Sequence, residues 1–467
     1  MADPTTFVAS CAGSNIPTQS DTQLHANSSL SKLQAATICA VITLMLYAIL
    51  IQKDNKTHIP IVNNPLGRLG TAFSRISWAF RSRSILDYGF RKFAGDTYML
   101  ARGDTNLIVL PASFIPELNR LPSSLLDSRE YHSSSMLGYL TELDIIRKST
   151  HHVKVLMSRV SPALPRLLDG ISKRTSASVV RLFPQQTTSW AVVKPLDLIA
   201  HCVTEGLVLA MYGTPICDNP ELVQLVFEHT RDVFATVMYM RFFPAVLQPL
   251  LVWLCPTRWR LRRSWRRLEE LVAPRLETLK RREHEDAEPD LLSWMVKDGR
   301  TVEERDPQIL AKLAASVAAG GFTAPRTLCS RGDLGKNQVI DGNWDQAAYN
   351  SLDKLDSAMK ETSRLAPGSL LVYSRVLQAD HTLSNGIQLR KGQFVTISSH
   401  TRAMDPVMFE NPKEYHGLRY YKGDLQRHRA RPFRDIDGDI LSWGAGRGAC
   451  PGRFIANLLG KFYSSSF

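Results

Sequence analysis

Trp443-Gly-Ala-Gly-Arg-Gly-Ala-Cys450-Pro-Gly-Arg453 is the stretch on which the reading of this chain turns. It sets one cysteine among small residues, directly ahead of a segment, Phe454 to Phe462, that reads as the start of a helix. Gly444, Gly446 and Gly448 let the backbone turn tightly and approach a flat ligand, because glycine enters conformations closed to residues with a Cβ. Pro451 stands where a first-turn proline is tolerated, so the Cys450 sulfur is expected at or near a helix N-terminus. Amide N–H groups and the positive end of the helix dipole favour a thiolate there. A thiolate under a glycine arch is what an axial ligand to iron requires.

An isolated cysteine is ordinarily a small buried apolar residue, so the weight falls on its surroundings. The pattern aromatic-Gly-x-Gly-Arg-x-Ala-Cys-Pro-Gly-Arg resembles the haem-binding loop of the cytochrome P450 family of haem-thiolate monooxygenases, in its fungal form. The resemblance implies that Cys450 is the iron ligand, with Trp443, Gly446, Arg447 and Gly452 around the cofactor. Trp443 replaces the Phe that usually packs near the sulfur. Gly448 is a departure, because two residues before the cysteine the family usually carries Arg or His, which helps to hold a haem propionate. Arg447, its neighbour, is the candidate to compensate.

Two further motifs agree. Lys360-Glu361-Thr362-Ser363-Arg364 lies in a segment whose apolar residues Leu352, Leu355, Met359 and Leu365 recur with a roughly helical period. Glu and Arg three apart share a helix face and can pair, although most such pairs are solvated surface charges of little energetic weight. Asp405-Pro406 and Phe409-Glu-Asn-Pro-Lys-Glu-Tyr-His-Gly-Leu-Arg419-Tyr420 follow. That run resembles the family segment that adds a second arginine to the pair. The resemblance makes Glu361, Arg364 and Arg419 a structural triad bracing the haem loop, and makes Arg375 the strand arginine that reaches a propionate. Leu313-Ala-Ala-Ser-Val-Ala-Ala-Gly-Gly-Phe-Thr-Ala324 resembles the long central helix above the haem. Ala319, Gly320 and Thr323 fit its small-Gly-x-acid-Thr motif, which implies that Thr323 passes protons to dioxygen. Phe322 occupies the position of the usual acid.

The chain has 467 residues, 44% hydrophobic and 22% charged, enough to bury a large core. No repeat or linker divides it, so one large catalytic domain is expected, over 52–467. Seven cysteines lie scattered without a paired framework, which suits the reducing side of a membrane. Residues 33–51 carry no charge and come close to the length of a bilayer-crossing helix. Residues 1–29 have no Lys or Arg, whereas Lys53, Lys56 and a basic domain follow the apolar stretch. The excess of positive charge on the C-terminal side predicts a single-pass endoplasmic reticulum anchor at 33–51, a luminal tail at 1–32 and a cytosolic catalytic domain. Asn27-Ser-Ser29 is a glycosylation sequon beside the membrane.

The formal net charge of +13 raises the possibility of nucleic-acid binding. Its densest cluster, Arg258 to Arg267, directly follows the apolar run Phe242 to Cys255. Basic residues beside an apolar, Trp-bearing segment suit an anionic membrane face. A positive face also suits an acidic reductase. A basic cluster alone is only an electrostatic footprint, and nucleic acid is set aside as a partner.

Alternation from Tyr98 to Leu110 around Gly103-Asp104, and from Leu383 to Ile397 around Asn385-Gly386, predicts hairpins in a chain otherwise helical from Phe114 onward. Mainly α with small β-sheets is the expected class, and the resemblance implies the cytochrome P450 fold. The resemblance spans roughly Pro60 to Lys461 and leaves two gaps. The resemblance lacks one helix where the pattern breaks at Pro325 and resumes near Gln338, and lacks the family's C-terminal hairpin after Cys450. The expected activity is a haem b-dependent monooxygenase, taking electrons from NADPH through NADPH-cytochrome P450 reductase. It would insert one oxygen atom of O2 into a lipophilic substrate, a terpenoid or indole-diterpene by analogy with fungal secondary metabolism. The alternatives are a haem-dependent isomerase or dehydratase, toward which Phe322 leans, and an inactive shortened membrane protein.

Overall fold

The two alternating stretches both become β-structure, but they end in different sheets. The computed structural model describes residues 58–62, 67–93, 95–102, 105–184, 195–281, 289–320, 346–423, 426 and 431–466. β1 (Tyr98–Arg102) and β2 (Thr105–Leu110) form the expected antiparallel hairpin, with Tyr98 opposite Val109 and Arg102 opposite Thr105. Its turn at Gly103-Asp104 lies outside the described residues. β3 (Leu126–Asp127) pairs with β4 (Leu371–Leu377). β5 (His381–Thr382) and β6 (Gln388–Leu389) form a small separate hairpin around Asn385-Gly386, where Gly386 has a φ of +85°. β7 (Phe394–Ser398) leaves that hairpin and enters the large sheet, in the order β1-β2-β7-β4-β3. The division falls at Lys391-Gly392. Gly392 sits at φ +80° and its N–H donates to Leu377 O at 2.7 Å, turning the chain from one sheet to the other.

Period-2 alternation gives the large sheet two apolar faces. Met99, Ile108, Leu110, Val395 and Ile397 pack on one side, and Tyr98, Leu100, Leu107, Val109 and Val376 on the other. α1 (Gly67–Lys92) packs on the second face through Ile85 and Leu86. α2 (Ile115–Arg120) follows β2. α3 (Ser128–Ser135) begins where the Asp127 carboxylate accepts from Arg129 N–H at 2.7 Å, a side-chain N-cap.

The main core is helical. α4 (Leu164–Leu182) buries Leu164, Leu167, Leu168 and Ile171, the spacing of one helix face. α5 (Pro195–Tyr212) packs against it with Val203, Val208 and Met211. α6 (Pro220–Met240) starts at the Asn219 cap, and α7 (Pro256–Arg281) crosses it with Leu261, Trp265, Leu268 and Val272 buried. α8 (Leu291–Asp298) is capped by Asp290, which accepts from Ser293 N–H at 2.8 Å. α9 (Pro307–Gly320), the expected central helix, buries Leu310, Ala311, Leu313, Ala314 and Ala315 among these neighbours.

α10 (Asp353–Leu365) carries Glu361 and Arg364, and α11 (Arg453–Ser466) follows the cysteine loop. α11 places Ile455, Leu458, Leu459 and Phe462 on one face against the main core. The 33–51 anchor, the 1–32 tail, Phe322, Thr323 and the gap from Pro325 to Gln338 all lie outside the described residues. Among the described residues no helix is long and apolar enough to cross a membrane.

Candidate functional site

The cysteine loop has little regular structure beyond a single 3-10 turn at Gly446–Gly448. It closes on itself where Cys450 N–H donates to Trp443 O at 2.8 Å, an arch that needs left-handed backbone at Gly444 (φ +76°) and Gly446 (φ +60°). Trp443 anchors one foot, with its indole N–H donating to Phe433 O and its ring tilted 4.9 Å from the Phe433 ring. On the other foot, Arg453 donates to Cys450 O at 3.0 Å. Among the described residues, no atom outside the adjoining chain lies within 4 Å of the point where a Cβ on Gly452 would project.

The Cys450 thiol departs from the expectation of a ready thiolate. Burial pushes its pKa up, opposed by the N–H of Gly452, the Arg453 charge and the N–H of Arg453. The helix-end groups act in the expected direction, but desolvation of the sulfur outweighs them. A bound metal cation reverses that balance, because a coordinating thiol is deprotonated outright.

At two of the three glycines an added Cβ would meet a side chain from elsewhere in the fold. A Cβ on Gly446 would run into the Asn119 side chain, and a Cβ on Gly448 would run into the Arg375 guanidinium. Arg447, the residue expected to compensate for Gly448, is exposed and donates to Leu121 O at 3.1 Å and Asn119 O at 3.3 Å. It ties the loop to the end of α2 instead. Arg375 fills the space beside Gly448.

Arg375 is 7% exposed, and burial pulls its pKa down, offset in part by Tyr373 and Asp127. It donates to Ser374 O at 2.8 Å and lies 4.4 Å over the Tyr373 ring. Among the described residues no carboxylate comes within ion-pairing distance of it. A buried guanidinium without an acid partner is costly, and it fits the carboxylate edge of a haem. His132 on α3, which sequence reasoning missed, belongs to the same surroundings. Its side chain is solvent-exposed, though desolvation and the Arg375 charge push its pKa down to about 4 and Asp127 opposes them. No sequence spacing connects His132 to the loop.

The structure brings Glu361, Arg364 and Arg419 together. Arg364 donates to both Glu361 oxygens at 2.8 Å, and Arg419 Nε lies 3.1 Å from each. His416 N–H adds a fourth donor at 3.0 Å. Glu361 is 0% exposed and Arg364 1%. Arg364 also reaches Ala403 O at 2.7 Å and Pro412 O at 2.6 Å, and so pins the segment after β7.

Three further polar residues of α10 reach the segment leading into the cysteine loop and the helix that follows it. Ser363 Oγ donates to Ser442 Oγ at 2.7 Å. Lys360 pairs with Asp437 at 2.5 Å and lies 4.6 Å over the Tyr420 ring. The Asp356 carboxylate accepts from Phe433 N–H and pairs with Lys461 of α11 at 2.6 Å. Glu-x-x-Arg could be read in the sequence, but these partners could not, because nothing in local periodicity announces a contact so far along the chain.

Burial alone would raise the Glu361 carboxyl, but the Arg364, His416 and Arg419 donors hold it below the ordinary range. Asp437 is likewise held low by Lys360 and the Asp439 N–H against its burial. Carboxyls depressed in the folded state add stability that is complete above the ordinary carboxylate range and lost as pH falls through their folded values. The melting temperature is therefore expected to stay level from neutral pH down to that range and to fall steeply below it. A melting temperature that held steady well into strong acid would contradict these assignments.

The mainly helical fold with small sheets thus carries a cysteine loop ahead of α11 and a buried Glu–Arg pair on α10. The Cytochrome P450 family pattern matches residues 336–463. Cytochrome P450 monooxygenase AN1598 of Emericella nidulans is 29% identical over 79% of this chain and 73% of its own length. Cytochrome P450 monooxygenase janP of Penicillium janthinellum is 25% identical over 92% and 87%, and an ent-kaurene oxidase of Gibberella intermedia 26% identical over 87% and 81%. In fold, the chain is similar to the heme domain of cytochrome P450DA, with a TM-score of 0.64 at 15% identity over 88% of this chain and 90% of that one. The chain is thus similar to cytochrome P450 monooxygenases over most of its length, which supports an oxygenase whose cofactor is haem.

Proposed function

We propose that this chain binds haem b through Cys450 and inserts one oxygen atom of O2 into a C–H or C=C bond of a lipophilic terpenoid. Electrons would come from NADPH through a cytochrome P450 reductase. The observation that carries the reading is the arch at Cys450, tied to α10 on one side and faced by the buried Arg375 cation on the other. Haem supplies the activation of O2, and a thiolate donor favours O–O cleavage. The chain's own residues position and shield it. Cys450 would hold the haem iron and Arg375 a propionate, while Trp443, Gly446, Arg447 and Gly452 would shape the loop around the cofactor. Glu361, Arg364 and Arg419 keep that loop in place. Thr323, outside the described residues, is proposed to hand on the proton.

The terpenoid class is supported by the relative named for oxidation of ent-kaurene. Residues 33–51 are proposed as an endoplasmic reticulum anchor with the catalytic domain in the cytosol. Val246, Leu250 and Leu254 are exposed just ahead of the arginines of α7, which supports a membrane-facing surface there.

Microsomes carrying this chain and a reductase are expected to consume NADPH and O2 with formation of a hydroxylated or epoxidised diterpenoid. Carbonate washing should leave the chain in the pellet, and deletion of residues 1–52 should release it. Turnover of substrate without NADPH would overturn the monooxygenase reading. Release of the full chain by carbonate would overturn the anchor.

A further inference from the structure

Tyr131 of α3 gathers positive charge that nothing described so far employs. It is 6% exposed, and its hydroxyl accepts from Arg102 Nη1 of β1 at 3.2 Å. Arg102 Nε is buried without an acceptor, and among the described residues no carboxylate comes within ion-pairing distance of this guanidinium. Arg241, just past α6, adds its charge at the same hydroxyl while reaching the Ser135 carbonyl. Ser374 lies beside the hydroxyl too, in the bulge where β4 slips register between Val372 and Arg375. Burial alone would push the Tyr131 hydroxyl up, but Arg102, Ser374 and Arg241 hold it below its ordinary value.

Two half-buried guanidiniums brought from β1 and the end of α6 toward one neutral oxygen repel each other, with less screening than in open water. An anion between them removes that cost and gains charge-assisted hydrogen bonds, and the planar guanidinium fork matches a carboxylate. The Tyr131 hydroxyl, already an acceptor, keeps its own proton to donate to the same anion. The rest of the surroundings is hydrocarbon. Tyr131 shares an apolar cluster with Leu100 and Leu371. Phe242, next to Arg241, meets Phe80 of α1 at 6.4 Å, and both rings are exposed. Cations set among apolar rings suit an amphiphile with a single carboxylate head. Ser374 is followed directly by Arg375, whose guanidinium abuts Gly448, so β4 runs from this cluster to the cysteine loop.

We propose that Arg102 and Arg241, with the Tyr131 hydroxyl, form a subsite for a carboxylate on the substrate, which makes that substrate a terpenoid acid. The inference deepens the oxygenase reading and rests on it.

The test compares abietic acid with its methyl ester as ligands of the full-length chain in phosphatidylcholine nanodiscs, under conditions that ionise the acid. Binding is followed by isothermal titration calorimetry and corrected for partition into empty discs. The acid is expected to bind roughly tenfold tighter than the ester or more, as a charge-assisted contact implies. Arg102→Gln should weaken the acid about tenfold and leave the ester within about twofold, and Arg241→Gln should show the same selectivity. Arg102→Lys keeps the charge but not the planar fork, so its affinity for the acid should fall between those of the parent and Arg102→Gln. Equal weakening of acid and ester by Arg102→Gln would make Arg102 a packing residue and overturn the proposal. So would a parent that binds acid and ester alike, or neither. The parent's ferrous carbon monoxide spectrum separates the two levels of inference. A shifted Soret band without preference for the acid sinks the subsite alone, and absence of haem beside a retained preference sinks the haem reading alone.

Discussion

Cys450→Ser is expected to abolish the strongly red-shifted Soret band of the ferrous carbon monoxide complex, whatever fraction of haem the variant still holds. The shift comes from thiolate donation, and none of the other described cysteines can supply it. Cys202, Cys217 and Cys255 are buried in apolar packing, and burial pushes the Cys202 and Cys217 thiols up, the latter to about 11. The substitution should leave the fold intact, because Cys450 contributes to the arch through its N–H and C=O, which serine keeps. A variant that retained the shifted band would remove Cys450 from the axial position. A band shifted back to that of a nitrogen or oxygen donor would support it.

The second large effect is expected at Glu361. Its carboxylate is fully buried between two guanidinium groups and the His416 N–H, so Glu361→Ala leaves Arg364 charged in the core with only carbonyl acceptors. Breaking a buried pair in this way typically costs about 3–5 kcal/mol. The protein should purify with almost no haem, since the same helix holds Ser442, Asp437 and Phe433 in the segment leading into the cysteine loop. Arg364→Ala should behave alike, and the double variant should be hardly worse than either, because removing both charges leaves neither stranded. Normal haem content in either single variant would reduce the triad to an ordinary ion pair.

The sequence shows most of the fold wherever spacing reflects a solvent-to-core gradient. The hairpin of β1 and β2, the helix after Cys450 and the helix around Glu361 are all legible from period and turn residues. The alternation from Leu383 to Ile397 reads as one unit and ends in two sheets, because strand partners are chosen by tertiary packing and not by period. At the site, Cys450 and the Glu361–Arg364 pair could be read from motifs. The roles of Gly448 and Arg447 could not, since they depend on the direction in which a bulged strand points an arginine. Lys360, Asp356 and Ser363 read as the polar face of an amphipathic helix, yet all three are buried against partners far along the chain.

The chain leading into the cysteine loop is fixed from outside by side chains of α10. The mutational burden of the chemistry is therefore displaced along the gene. Many exchanges inside the loop can be absorbed, as Trp443 and Gly448 already illustrate, whereas the codons for Asp356, Lys360, Glu361, Ser363 and Arg364 have little freedom to drift. Heritable damage to this enzyme should thus concentrate in a buried helix and spare the loop that bears the cysteine.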